Sequence, residues 1–178
     1  MARLSTPKHD ELSDEQRTVH DAIASGPRGE VVGPLGVWLH RAALADKAQQ
    51  LGQYCRYDSS LEPRLYELAS LVTARIWDAG FEWDSHEQPA RAAGLADSII
   101  TALANDQKPE FEHADESVVY RVSRHLNIDR ELSPELYAEA EQLLGKGKLV
   151  DLIGVLGYYA LISMTIKAFE VDPIHSDS

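Results

Sequence analysis

Three side chains in this 178-residue chain have types and spacing suited to acid/base chemistry: Glu67, Glu82 and His86. Glu82 and His86 stand four residues apart, and on a helix that spacing puts both on one face, close enough to touch. A carboxylate beside an imidazole raises the imidazole pKa and fixes its orientation, as a general acid/base near neutrality requires. Glu67 lies on a preceding helical pattern, joined to the next by a short turn at 78–80, and antiparallel packing would bring it to the same spot. On a solvent-exposed helix the same Glu-x-x-x-His pair contributes only about 0.2–0.5 kcal/mol and catalyses nothing. Burial therefore separates the two readings.

The remaining histidines, His9, His20, His40, His113, His125 and His175, have no partner at a compelling spacing. No His-x-x-x-His pair occurs, and no metal or cofactor is expected. Trp77 and Trp83 are of a type found more often in cores and interfaces than as cofactor platforms.

The elements that must position these groups are helical. Ser13 and Gln16 have the capping-box spacing and open a helix that stops near 25–27. Residues 26–36 are rich in Gly and Pro and read as an irregular segment leading to the apolar stretch 37–39. A helix is expected over 42–57, with Leu44, Ala48, Leu51 and Cys55 as its core stripe. Pro63 is suited to the first turn of the next helix, because its missing N–H costs nothing there; Leu65, Leu68, Leu71, Val72 and Ile76 mark the apolar face and Gly80 the end. Further helices are expected over 82–93 with Gly94 as stop, 96–104, 116–127, 133–144 and 148–169, with an acidic connector at 105–114. No convincing alternating strand interrupts them, and the fold class is all-α.

Composition narrows the function classes. With 17 basic and 29 acidic residues the formal charge is −12, which opposes a nucleic-acid partner. One cysteine, Cys55, rules out an intramolecular disulfide and dithiol peroxidase chemistry. With 44% apolar residues the chain can bury a real core, and one domain over 1–178 is expected, with flexible tails at 1–12 and 172–178. The N-terminus lacks the apolar run of a signal peptide, and the longest apolar stretch, 149–169, carries Asp151 and Lys167 and reads as a buried helix. Cytoplasmic residence and no membrane partner follow as expectations. Residues 64–72 align with 148–156 at an offset of 84, placing Glu67 over Asp151. If the repeat is genuine, the second copy has Glu170 where the first has His86, and only the first is chemically complete.

The stretch LEPRLYELASLVTARIWDAGFEWDSHEQPARAAGL, residues 61–95, resembles the carboxymuconolactone decarboxylase family, which shares an all-helical fold with alkylhydroperoxidase D-like proteins. Arg64, Glu67-Leu68, Gly80, Glu82, His86 and Ala93-Gly94 carry the resemblance, and residues 33–52 and 157–171 also look like the family. Peroxidase-type relatives carry a Cys-x-x-Cys whose second cysteine precedes the histidine by four residues, and a glutamate nineteen before it. Glu67 keeps that glutamate position, while Ala79 and Glu82 fall where the cysteines would be. The decarboxylase branch resembles this chain in having Glu four residues before His, yet lacks the Glu67 equivalent.

The resemblance implies a cofactor-free acid/base enzyme, of lyase type, acting on a small organic acid or lactone by decarboxylation, isomerisation or hydrolysis. His86 would protonate carbon, Glu82 would orient it, and Glu67 would hold the lactone end or relay a proton. Arg64 is the candidate cation for a substrate carboxylate, and Trp83 a candidate substrate contact. A non-catalytic binding or assembly protein is the alternative, and a Cys55-dependent peroxidase using an external thiol a third. Relatives assemble as dimers, trimers or hexamers, so a homo-oligomer is implied.

Overall fold

The N-terminal cap of the first helix forms as the spacing predicts. In the computed structural model, which describes residues 2–174, the Ser13 hydroxyl accepts from the Gln16 N–H and the Gln16 side chain accepts from the Ser13 N–H. This opens α1 (Asp14–Ser25), and the Gln16 amide also donates to the Leu39 carbonyl at 2.9 Å, tying the cap to a segment further along the chain. After the loop, α2 (Pro34–Trp38) begins at a proline, inside the segment expected to be irregular. A 3-10 turn over Leu39–Arg41 leads into α3 (Ala42–Gln53), which runs into a π-helical turn, Tyr54–Asp58.

The core face of α3 differs from expectation. Leu44 and Leu51 are exposed, whereas Ala45, Ala48 and Gly52 are buried, with Cys55 beyond them. The reason is packing distance. A Cβ at Gly52 would lie 2.1 Å from the Tyr158 hydroxyl, so only small residues fit on this face.

α4 (Pro63–Ile76) is the central helix and packs against α5 (Gly80–Ala92), α7 (Ala114–Ile128) and α8 (Pro134–Phe169). Every residue from Leu65 to Ala74 is buried, as expected of a helix surrounded by others. The turn to α5 is made by Asp78 in the left-handed region, held by Lys167 through its carbonyl and carboxylate. Gly80 therefore starts α5 and does not close α4, correcting the sequence reading. α6 (Asp97–Ala104) follows the stop at Gly94, whose φ of +88° suits glycine.

α8 is one run broken at Gly145, where the backbone is non-helical, consistent with two expected helical patterns. Its apolar arm is long enough to cross a membrane by composition, and 61% of that window is buried inside the molecule. No strand occurs among the described residues.

Within the segment expected as a flexible tail, Arg3 and Leu12 make contacts with the rest of the molecule. The Arg3 N–H donates to the Phe169 carbonyl at 2.8 Å, Arg3 pairs with Glu170, and Leu12 is buried. The other expected tail lies partly outside the described residues. The residues aligned by the possible repeat build no second site. Asp151 accepts from the Ser60 N–H, the Ser60 hydroxyl and the Tyr54 hydroxyl, while Glu170 is occupied by Arg3.

Candidate active site

Glu67 is the acidic residue of a helix otherwise committed to packing. Ser70 and Thr73 satisfy their hydroxyls on the carbonyls one turn back, at 2.9 Å each. A buried carboxylate has no such local option and needs a partner from another element. Glu67 finds it across the α4–α5 interface, where its Oε2 lies 2.6 Å from His86 Nδ1. Glu82 closes the other side, its Oε2 3.3 Å from His86 Nε2. It stands in the first turn of α5, where the helix dipole favours a carboxylate.

The three expected residues thus converge, at 6%, 5% and 1% exposure for Glu67, Glu82 and His86. Aromatic rings fix the imidazole further. Tyr159 meets it edge-on at 4.9 Å and 88°, Tyr66 is tilted against it at 5.9 Å, and the two phenol hydroxyls share a hydrogen bond.

Burial is the strongest influence on His86 and opposes its charge. The hydrogen bonds and field of Glu67 and Glu82 nevertheless outweigh it, so the imidazolium persists above the ordinary histidine range. Burial also pushes the Tyr158 phenol up to about 12 and Tyr159 well above its usual value, so both remain proton donors near neutrality.

A cavity of about 370 Å³ opens onto this cluster. His86 and Glu82 line it and Glu67 does not, whereas the resemblance implied Glu67 toward the ligand and Glu82 as the orienting group. Glu67 pairs with the Nδ1 side of the ring, and Glu82, which pairs with the Nε2 side, is the carboxylate that lines the cavity with His86. Apolar walls come from Leu35, Phe81 and Ile162. Gly33, at φ +57°, makes room for one of them, since a Cβ there would meet the Phe81 ring at 2.3 Å.

Two sequence-predicted contacts lie elsewhere. Arg64 is ion-paired with Asp115 and Glu116 and does not reach the cavity, because the nearer α7 carboxylates capture it. Trp83 lines a separate depression with Arg75 and Asp78, since its place on α5 faces away from His86.

The cations that do line the His86 cavity are Arg28, from the loop after α1, and Arg56, from the π-helical turn. Sequence reasoning missed both. Arg28 lay in a Gly/Pro-rich stretch read only as loop, and Arg56 in a stretch read as ordinary helix; π turns are frequent at functional sites, but nothing in the chain announces one.

Sequence reasoning also missed a surface grouping. His9, His20 and Asp21 place one metal-ligating atom each within 4.8 Å of one another, in exposed or half-buried positions. Cys55 is 1% exposed, and burial, with Asp151 nearby, pushes its thiol up to about 11. It is protonated and inaccessible, which argues against the Cys55-dependent peroxidase.

No family model matches the chain, and no curated protein matches it. Solved structures do. An uncharacterized peroxidase-related protein from Silicibacter sp. superposes with a TM-score of 0.79 at 14% identity, covering 98% of this chain and 92% of its own. A second peroxidase-related protein, described as an alkylhydroperoxidase AhpD core, from Ralstonia eutropha, gives 0.77 at 12% identity over 98% and 93%. A protein of unknown function from Agrobacterium tumefaciens gives 0.66 at 15% identity, over 73% of this chain and 90% of that one. At these identities the likeness establishes architecture: the chain has the all-helical AhpD-like fold.

Proposed function

We propose that this protein is an acid/base enzyme that moves a proton to or from a carbon adjacent to a conjugated carbonyl, acting on a small organic acid or lactone through His86, Glu82 and Glu67. The observation that carries the reading is a buried imidazole held between two carboxylates, only one of which shares its cavity. A neutral histidine offers one donor and one acceptor, whereas two carboxylates, which only accept, match the doubly donating imidazolium. Two buried carboxylates around one ring cost desolvation energy that apolar packing would avoid.

In a decarboxylation, the carbon–carboxylate bond breaks, CO2 leaves, and its electron pair delocalises into the carbonyl to give a dienolate. The His86 imidazolium then delivers a proton to carbon, Glu67 and Glu82 stabilise its charged form, and the neutral ring takes back one proton from water entering the cavity. Isomerisation uses the same groups, with removal of a C–H proton replacing loss of CO2. Two solved neighbours are named peroxidase-related; a peroxidase step of the dithiol type requires two thiols, whereas Ala79 and Glu82 occupy the positions expected for them and Cys55 is buried.

The test is deuterium incorporation and CO2 release with an unsaturated carboxy-lactone such as 4-carboxymuconolactone. His86→Gln should lower either rate by about 10²–10⁴. Equal rates in the variant and the unaltered protein would sink the proposal. Homo-oligomer formation, implied by the resemblance, is checked by light scattering.

A further inference from the structure

The geometry points to Arg28 and Arg56 as the carboxylate-recognising part of the His86 cavity, with the Tyr158 hydroxyl as a third donor, so that the ligand of this cavity is an anionic acid and not its neutral counterpart. The inference rests on reading the cavity as an acid/base site and names what that site selects.

The charges around the cavity differ in how far they are already committed. Glu67 and Glu82 are both directed at His86. Glu30, also on the wall, is exposed, and no ion pair joins it to either arginine. Among the described residues no ion pair joins Arg28 or Arg56 to a carboxylate, which is also true of the half-buried Arg17, Arg75 and Arg124; what sets Arg28 and Arg56 apart is that both line the cavity. Arg17 and Arg75 spend their donors on backbone carbonyls, whereas Arg28, on the cavity wall, keeps a buried Nε with no partner.

Arg28 is held in place by its neighbours. It donates through Nη2 to the Tyr158 hydroxyl at 3.3 Å, and its Nε is buried without a partner. Gly52 leaves the space for this pair, since a Cβ there would lie 2.1 Å from the Tyr158 hydroxyl and 2.5 Å from Arg28 Nη2. Because Tyr158 accepts from Arg28, its own proton is left for another acceptor. Arg56 adds a second guanidinium, with Tyr57 at 5.8 Å from ring centroid to its carbon. Two guanidinium groups and a phenol make a set composed of donors alone, which a carboxylate satisfies and an amide, carrying its own N–H donors, does not.

The experiment is calorimetric titration of the unaltered chain with sorbate, a conjugated monocarboxylate, and with its neutral amide, followed by sorbate titration of Arg28→Met and Arg56→Met. Sorbate should bind at least about tenfold more tightly than the amide, and each substitution should weaken sorbate by about tenfold while leaving the amide unchanged. Equal binding of acid and amide, no saturable binding of sorbate, or folded arginine variants that bind sorbate as the parent does would each overturn the inference. The acid-to-amide ratio is read on the unaltered protein, so a variant that fails to fold leaves the test intact. If the preference is absent while proton exchange still depends on His86, this inference falls and the acid/base reading stands. If the preference persists while exchange is indifferent to His86→Gln, the acid/base reading falls and the cavity is a carboxylate-binding site.

Discussion

Two histidine–carboxylate groupings in this molecule have similar interatomic distances and opposite surroundings. His20 Nδ1 lies 3.0 Å from Asp21 on the surface, with His9 alongside; His86 Nδ1 lies 2.6 Å from Glu67 in the interior. At the surface, hydrogen bonding to His20 is the largest influence and lowers the Asp21 carboxyl against an opposing desolvation, and water screens the rest. In the interior, burial is the largest influence on His86, and two carboxylates must overcome it. Contact distance alone therefore does not identify a site. The cost of removing charge from water does, because a fold retains that cost only where packing over-determines it or chemistry uses it.

The largest separation of the two groupings should come from deleting each imidazole. His86→Ala leaves Glu67 and Glu82 facing each other as buried charges, and should cost about 3–5 kcal/mol of stability by urea denaturation. His20→Ala should leave the denaturation midpoint unchanged. A His86→Ala protein as stable as its parent would break the comparison.

Glu67→Gln sharpens it at the level of rate. Loss of the orienting carboxylate should lower His86-dependent proton exchange by about 10²-fold while leaving ligand affinity nearly unchanged, since Glu67 does not line the cavity. A fall in affinity with an unchanged rate would place Glu67 in contact with ligand.

The pH dependence has a defined sign. Because the folded pKa of His86 is raised above its usual 6.5, its stabilising contribution is fully present below that value and is lost as pH rises through the folded pKa. The melting temperature should decline across that window, and His86→Gln should flatten the decline.

The smallest effect is expected at Cys55. With its thiol pushed up to about 11 and its side chain buried, the folded protein should react with a thiol reagent at neutral pH only as fast as it opens, and Cys55→Ser should leave proton exchange unchanged. Rapid labelling of the native protein would contradict the inert assignment.

The helices and the grouping of Glu67, Glu82 and His86 were legible in the chain, and for local reasons. The cap at Ser13, Pro63 in the first turn of α4 and the stop at Gly94 are decided by backbone donors and dihedral freedom within a few residues. The spacing of Glu82 and His86 fixes their shared face on any helix. The core face of α3 was misread because Leu44 and Leu51 outrank Ala45 and Gly52 in hydrophobicity, while close approach of Tyr158 requires the small residues. Arg64 was misread because its sequence neighbours are those of the site, yet Asp115 and Glu116 from α7 capture it.

The sequence by itself determined an all-helical chain, the absence of a thiol pair, and a Glu–His pair on one helix with a third carboxylate on the helix before it. These depend on residue type and on spacing along one element. Only the tertiary structure decided that the trio is buried, that Glu82 and not Glu67 shares the cavity with His86, and that Arg28 and Arg56 are the cations beside it. Those outcomes depend on contacts between residues distant in the chain, where desolvation and steric fit act on neighbours that no local pattern specifies.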